Sequence, residues 1–343
     1  MKRLALFLLG CLSVLVAAEL VFQMLPVSTA TASGYHIDPR ILTYPRHHRF
    51  TIATGWDLKN AQHHTSNNYG FVDNRDFVRD PTALAVIGDS FVEANMLPEG
   101  QRIGPALERL LDDTPVYSMG GPGSSLFDYL ARAQFAQAHF ALRRFVFVIE
   151  RGDVRQVLCG SGNHHGACFD AQSGQMQLSP DTPPGLLKQL ARQSALAQYL
   201  FSQLKINPAD ALRTVRLYFA PPHETRPANE QAADPVSPDL AATIVERFVH
   251  GIDALAAQSV ILIDGARHNR SQTAIWNNAH MDLLQTMAAD KGIPVIDLSQ
   301  PFERWEAATG LKIEIGPYDA HWNLEGHRIA AEAAAERLQP YTR

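Results

Sequence analysis

The chain has little concentrated charge. Its 30 Lys and Arg against 35 Asp and Glu leave a formal net charge of −5 over 343 residues, with the basic residues scattered. Such a surface has no footprint for a nucleic-acid backbone, so that partner is set aside. No internal repeat and no low-complexity tract is present. Past residue 25 no apolar run is long enough to cross a bilayer as a helix. Cysteine is scarce: Cys11 lies in the apolar N-terminus, which leaves Cys159 and Cys168 around a short loop. Two readings stand for that pair. One is a disulfide of an oxidising compartment; the other adds His164 and His165 to make a zinc site. Consecutive histidines rarely both face one metal, which favours the disulfide.

What is present begins at the N-terminus. Lys2 and Arg3 precede an apolar stretch, Leu4 to Ala18, interrupted by Glu19 and resumed as Leu20 to Leu25 before Pro26. As a helix it spans roughly 33 Å at 1.5 Å per residue, enough for a hydrocarbon core of about 30 Å. The positive flank then stays cytoplasmic and the rest lies outside. An uncleaved anchor is the preferred reading. Its rivals are a signal peptide cut after Ala18 or after Ala30-Thr31-Ala32, and a lipoprotein signal at Gly10-Cys11 whose apolar segment is too short.

Residues 27–80, rich in Thr, His, Asn and Pro, read as a lead-in or stalk. Within them Asn67-Asn68-Tyr69-Gly70-Phe71 reads as a turn with Gly70 at positive φ. The core from residue 81 then alternates. Apolar runs at 84–87, 116–118, 145–149, 260–263 and 295–298 are short, β-branched and bounded by Gly, Pro or Asp, as buried parallel strands are. Helical spacing fills 103–111, 126–141, 240–257, 273–289 and 324–338, the last capped by Asn323. The pattern predicts a doubly wound, flavodoxin-like α/β sheet, mostly parallel, of about five strands with flanking helices and an N-terminal transmembrane helix. An insertion at about 155–238 reads as a lid or substrate wall, or as a packing subdomain.

Two places carry chemistry. Gly88-Asp89-Ser90-Phe91 directly follows the first core run and delivers a hydroxyl at the carboxyl end of a buried strand, where α/β sheets bind ligands. Near the C-terminus, Asp319-Ala320-His321-Trp322 offers an acid and a histidine. A hydroxyl nucleophile, a base to take its proton and a carboxylate to hold the base are what acyl transfer needs.

On these residues the sequence resembles the SGNH hydrolases, also called GDSL esterases. Val86 to Phe91 is similar to the family's first block, Tyr117 to Gly123 to its second, and Asp319 to His321 with Gly326-His327 to its last. The resemblance implies that Ser90 is the nucleophile, His321 the general base and Asp319 its orienting carboxylate. It further implies that the Ser90 and Gly120 N–H groups bind the oxyanion, with no metal or organic cofactor required. The Asp-x-His-Trp order, in place of Asp-x-x-His, resembles the membrane-tethered, alginate O-acetyltransferase-like members. The third block departs from the family: the strand leads into Glu150-Arg151-Gly152-Asp153, without the usual Asn. Either the Gly152 N–H or another side chain, Arg151 among them, would take its role, or the enzyme is slow. The tetrapeptide Ser161-Gly162-Asn163-His164 spells the family name only by coincidence.

Plainer readings stand beside these. Asp89 orders the turn by accepting backbone N–H groups. Arg151 binds substrate oxygen or pairs with Glu150 or Asp153. Trp322 shields the imidazole, stacks on a sugar ring or packs in the core. His327 reads as a helix-face histidine bonded locally, and His63, His64, His268 and His280 as surface or satisfied residues. The expectation is an extracytoplasmic serine esterase acting on acyl groups, O-acetyl foremost, of a carbohydrate or other small ester. One rival is a cell-envelope polysaccharide O-acetyltransferase supplied by a membrane acyl-donor partner. The other is a non-catalytic carbohydrate-binding module on a degenerate fold.

Overall fold

The structure, a computed structural model, describes residues 2–163, 166–178, 185–204, 206, 236–266, 272–316 and 319–338. His164 and His165 of the zinc reading, Pro183-Pro184, the Pro-rich stretch up to residue 235 and His268 lie outside the described residues.

The helices are α1 (Lys2–Gln23), α2 (Ser90–Glu93), α3 (Ile103–Leu110), α4 (Leu126–Phe140), α5 (Asp153–Gln156), α6 (Leu186–Ala191), α7 (Ala195–Gln198), α8 (Pro238–Ala254), α9 (Gln272–Asp290), α10 (Ser299–Thr309) and α11 (Leu324–Ala335). The strands are β1 (Gly34–Asp38), β2 (Ile41–Thr43), β3 (Arg49–Thr54), β4 (Lys59–Thr65), β5 (Leu84–Gly88), β6 (Val116–Gly120), β7 (Arg144–Ile149), β8 (Ala167–Asp170), β9 (Gln175–Leu178), β10 (Gln258–Ile263), β11 (Val295–Asp297), β12 (Glu314–Gly316) and β13 (Asp319–Trp322). They fall into two compact units.

The smaller unit takes residues up to 32, 49–64 and the described part of 182–234. Among the described residues α1 is the one helix long and apolar enough to cross a membrane. Its last turn is tied into the unit. Glu19 accepts hydrogen bonds from Ser194 Oγ at 2.6 Å, Ala195 N at 2.8 Å and Leu196 N at 3.1 Å, supplying acceptors for the free N–H groups that open α7. Phe22 packs on Tyr199 with ring centroids 4.5 Å apart.

The larger unit is built on a five-stranded sheet in the order β11-β10-β7-β5-β6. Every neighbouring pair runs parallel. Numbered along the chain this is the 2-1-3-4-5 order of a flavodoxin-like sheet. Period-two alternation sends Ala85, Ile87, Phe145, Phe147, Ile261 and Ile263 to one face, packed with α4, α8 and α9. Leu84, Val86, Val146, Val148, Val260 and Leu262 face the other, packed with α3, α10 and α11. With both faces covered, the strands read as unbroken apolar runs.

Residues 27–80, expected as a lead-in, contain four strands shared between the units. Phe71 and Phe77 from this segment are buried in the large unit's core, Phe77 stacking on Tyr117 at 4.3 Å. Each sits in a two-residue apolar pair, Phe71-Val72 and Phe77-Val78, too short to show a period. The Asn67 turn is as read: its Oδ1 accepts the Tyr69 and Phe71 N–H groups at 2.9 and 3.0 Å. Gly70 has φ +87°, and a Cβ there would lie 1.9 Å from the Tyr44 carbonyl oxygen. The 155–238 insertion is divided: the β8–β9 hairpin belongs to the large unit, α6 and α7 to the small one. A disulfide joins Cys159 and Cys168 beside that hairpin.

Candidate active site

Strand β5 ends at Gly88, and the chain turns at Asp89 into α2, whose first residue is Ser90. Asp89 makes the turn: its Oδ1 accepts the Phe91 N–H at 2.8 Å, and its carbonyl accepts the Glu93 N–H at 3.1 Å. Glycine is required at the end of β5, because a Cβ on Gly88 would lie 2.6 Å from Val92 Cγ2 and 3.0 Å from the Val148 carbonyl oxygen. The fully buried Arg132 of α4 donates to the Gly88 carbonyl at 2.8 Å and to Ser124 Oγ, fixing the turn from below.

His321 arrives from β13, paired antiparallel with β12. Asn323 then caps α11, its Oδ1 accepting Glu325 and Gly326 N–H at 3.0 and 3.2 Å. The His321 Nε2 lies 2.8 Å from Ser90 Oγ, and Nδ1 lies 2.6 Å from Asp319 Oδ1. Ser90, His321 and Asp319 thus form one hydrogen-bonded chain. The imidazole rests against the Phe91 ring, centroids 4.9 Å apart. Burial opposes charge on His321, but the Asp319 hydrogen bond and charge, with Asp89 and Glu93 behind it, outweigh burial and raise its pKa above the ordinary value.

The remaining expected residues sit as follows. Gly120 closes β6 beneath α2, where a Cβ would lie 2.2 Å from Glu93 N. Trp322 is not a substrate platform: neighbours on a strand point to opposite sides, so with His321 turned to the site the indole is driven inward and is fully buried. Its Nε1–H donates to Asp264 Oδ1 at 2.6 Å, and its ring packs on Phe91 and Phe302. The Gly152 N–H is not a free donor, since Glu150 Oε2 accepts it at 2.7 Å. Arg151 pairs with neither Glu150 nor Asp153. Its guanidinium is taken up by Asp297 at 2.5 Å, Ser299 Oγ at 2.8 Å and Asn278 Oδ1 at 3.0 Å, so it is bound to β11, α9 and α10 instead of facing an oxyanion. His327, read as locally bonded, is fully buried, and neither ring nitrogen has a hydrogen-bond partner among the described residues.

Around Asp89, sequence reasoning missed a set of acids under the site: Glu93 and Asp264, both buried, and Glu150, half-buried. Asp89 is pushed up to about 6 and Glu93 to about 7, in both cases first by burial. Glu150 and Asp264 stand at the ends of β7 and β10. For Glu150 and Asp264 the available signal was an acid directly after the apolar runs at 145–149 and 260–263, much as Asp89 follows the run at 84–87.

The sequence matches no known family model, and no curated protein matches it significantly. Solved structures are similar to it at low identity. One is LAE5, an alpha/beta hydrolase enzyme from the metagenome of Lake Arreo, Spain, at 15% identity and TM-score 0.41 over 77% of this chain and 98% of its own. A putative lipolytic protein of the G-D-S-L family from Desulfitobacterium hafniense is 11% identical with TM-score 0.40, over 75% and 99% of the two chains. Axe2, an acetylxylan esterase from Geobacillus stearothermophilus, in a catalytic mutant, is 11% identical with TM-score 0.42, over 78% and 99%.

Proposed function

We propose that the chain is an extracytoplasmic serine esterase of the SGNH type, cleaving or transferring acyl groups, with O-acetyl esters as the substrate class. The observation that supports it is the contact of His321 Nε2 with Ser90 Oγ at 2.8 Å, with Asp319 on the far ring nitrogen at 2.6 Å. His321 takes the Ser90 proton as Oγ attacks the ester carbonyl. Asp319 fixes the tautomer that leaves Nε2 free to accept and supports the imidazolium that forms. As the first residue of α2, Ser90 has an N–H without an intrahelical acceptor, which suits it to the oxyanion. Gly120 N–H is the companion backbone donor in this reading. His321 then protonates the leaving alcohol, and the acyl-enzyme is released to water or to another hydroxyl.

The single apolar helix α1 supports a membrane tether with the site on the extracytoplasmic side. That tether also gives weight to a second reading, transfer of acetyl to an envelope polysaccharide, with a membrane partner supplying the acyl group. The deciding assay is turnover of an aryl acetate by the purified full-length chain. Ser90→Ala is expected to lower kcat by about four orders of magnitude or more; an undiminished rate would refute the nucleophile. Acetyl content of surface glycan in a deletion strain separates the two reactions: loss indicates transfer, excess indicates hydrolysis. A folded wild-type chain whose Ser90 resists a fluorophosphonate while still binding glycan would instead be a carbohydrate-binding module.

A further inference from the structure

Attack by Ser90 on an ester moves a full negative charge onto the former carbonyl oxygen, and donors aimed at that oxygen determine much of the rate. The strand ends beside Ser90 supply an unexpected candidate. β5 and β7 run in register with Ile87 beside Phe147, and β7 and β10 with Ile149 beside Ile263. The Asp264 N–H continues that ladder onto the Ile149 carbonyl at 2.9 Å. A carboxyl therefore follows each of the three central strands: Glu150 level with Asp264, and Asp89 one register step earlier, level with Ile149, with the nucleophile next after it.

The two oxygens of Glu150 differ. Oε2 accepts the Gly152 N–H and the Gln156 Nε2–H, both at 2.7 Å. Oε1 has no hydrogen-bond partner among the described residues, and the side chain is only half-buried. Residue 152 being glycine makes this arrangement fit: a Cβ there would lie 2.6 Å from Glu150 Oε2 and 2.8 Å from Gln156 Nε2, so these two groups occupy the side-chain space of position 152. Two N–H groups on Oε2 fix it as the acceptor. A proton on this carboxyl then resides on Oε1, where a neutral acid has one hydrogen bond to give.

We propose, resting on the esterase reading above, that Glu150 acts as a neutral acid whose Oε1–H donates to the oxyanion formed at Ser90. Like charges gathered at neighbouring strand ends cannot all ionise. The groups facing Glu150 are Asp89 from the nucleophile turn, Asp264 from β10, and Asp153, Arg155 and Gln156 from α5. Asp153 Oδ2 accepts the Glu150 backbone N–H at 3.0 Å. Burial first, then the charges of Asp89 and Asp264, push the Glu150 carboxyl up to about 7, against the pull of the Gly152 N–H and Arg155. In the step, the Ser90 Oγ–carbon bond forms, the carbonyl π pair moves to oxygen and the Ser90 proton passes to His321 Nε2. Glu150 keeps its proton throughout. On collapse the carbon–leaving-group bond breaks, and His321 returns its proton to the departing alkoxide.

The test is the pH profile of kcat/KM on an aryl acetate, from pH 5 to 9, for the full-length wild type, Glu150→Gln and Glu150→Ala. The wild type should fall above about pH 7 as the donor is lost, approaching tenfold per pH unit. The near-isosteric Glu150→Gln carries a permanent N–H donor and should lose that alkaline fall. Glu150→Ala should lose about two to three orders of magnitude in kcat with little change in KM. An alkaline limb shared by wild type and Glu150→Gln, or an unchanged rate in Glu150→Ala, overturns the donor. Ser90→Ala assayed alongside separates the failures. If it stays active the esterase reading falls; if it is dead while Glu150→Gln titrates like wild type, only the Glu150 assignment falls.

Discussion

Asp319 Oδ1 accepts two hydrogen bonds from the same residue, His321: from the ring at Nδ1, 2.6 Å, and from the backbone N–H, 3.0 Å. An aspartate that bonds the backbone two residues on is a local turn device, so the spacing Asp-x-His by itself aligns carboxylate and imidazole. Ser90, 231 positions away, completes the chain only through the fold.

Replacing Asp319 by Asn is expected to keep the turn but lower kcat by about three to four orders of magnitude, since the amide does not hold the tautomer or support the imidazolium. The sign of the accompanying pH shift follows from His321. Burial lowers its pKa, and Asp319 is the main group raising it above 6.5. Activity needs the neutral ring, so it rises with pH through that pKa. Without Asp319 the acid limb of kcat/KM should move to lower pH. An acid limb that stays in place would show that His321 is not the titrating base.

Gly120→Ala tests the support of the nucleophile. The new methyl would lie 2.2 Å from Glu93 N and 2.7 Å from Glu93 Cα, and neither can yield without displacing α2. Overpacking of this kind costs about 1–3 kcal/mol. Thermal unfolding should show that loss, and kcat should fall with it because Ser90 begins the displaced helix. Wild-type melting together with wild-type kcat would contradict the close approach.

His327 in α11 is fully buried with both ring nitrogens unpartnered among the described residues; burial, then the charges of Arg102 and His321, push its pKa down to about 3. The unfolded chain binds a proton here near pH 6.5, the folded one only near 3. Between these values the unfolded state holds more protons, so this residue makes the protein less stable as pH falls, by up to about 1.4 kcal/mol per pH unit. His327→Leu removes both the proton linkage and the unsatisfied nitrogens. It should raise the melting temperature at pH 7, and the gap to wild type should widen at pH 5. A gap that narrows on acidification would contradict the assignment.

Much of the sheet is legible in the sequence. The run read at 84–87 is β5, Leu84–Gly88; that at 145–149 is β7, Arg144–Ile149; that at 260–263 is β10, Gln258–Ile263. Strands buried on both faces have no polar residue to blur them. The helix read at 126–141 is α4, Leu126–Phe140, opened by a Ser125–Asp128 capping box. Trp322 takes the core packing that was one of its readings, while the Arg151 side chain and the Gly152 N–H are engaged away from the oxyanion roles expected of them, for one shared reason. Each has a partner that its own type and neighbours do not single out: Asp264 for Trp322, Asp297 for Arg151, and Glu150 for Gly152. A side chain's type tells what it can bond, while which partner reaches it first is a matter of position.

By itself, then, the sequence determined the five core strands, the flanking helices, the apolar N-terminal helix and the local pairing of Asp319 with His321. All of these depend on periodicity or on spacings of a few residues. Only the tertiary structure decided that Ser90 meets His321, that Trp322 turns inward, and that Asp89, Glu150 and Asp264 gather at the ends of three neighbouring strands. Those relations come from strand order and register, which bring together residues whose separation along the chain carries no trace of their contact.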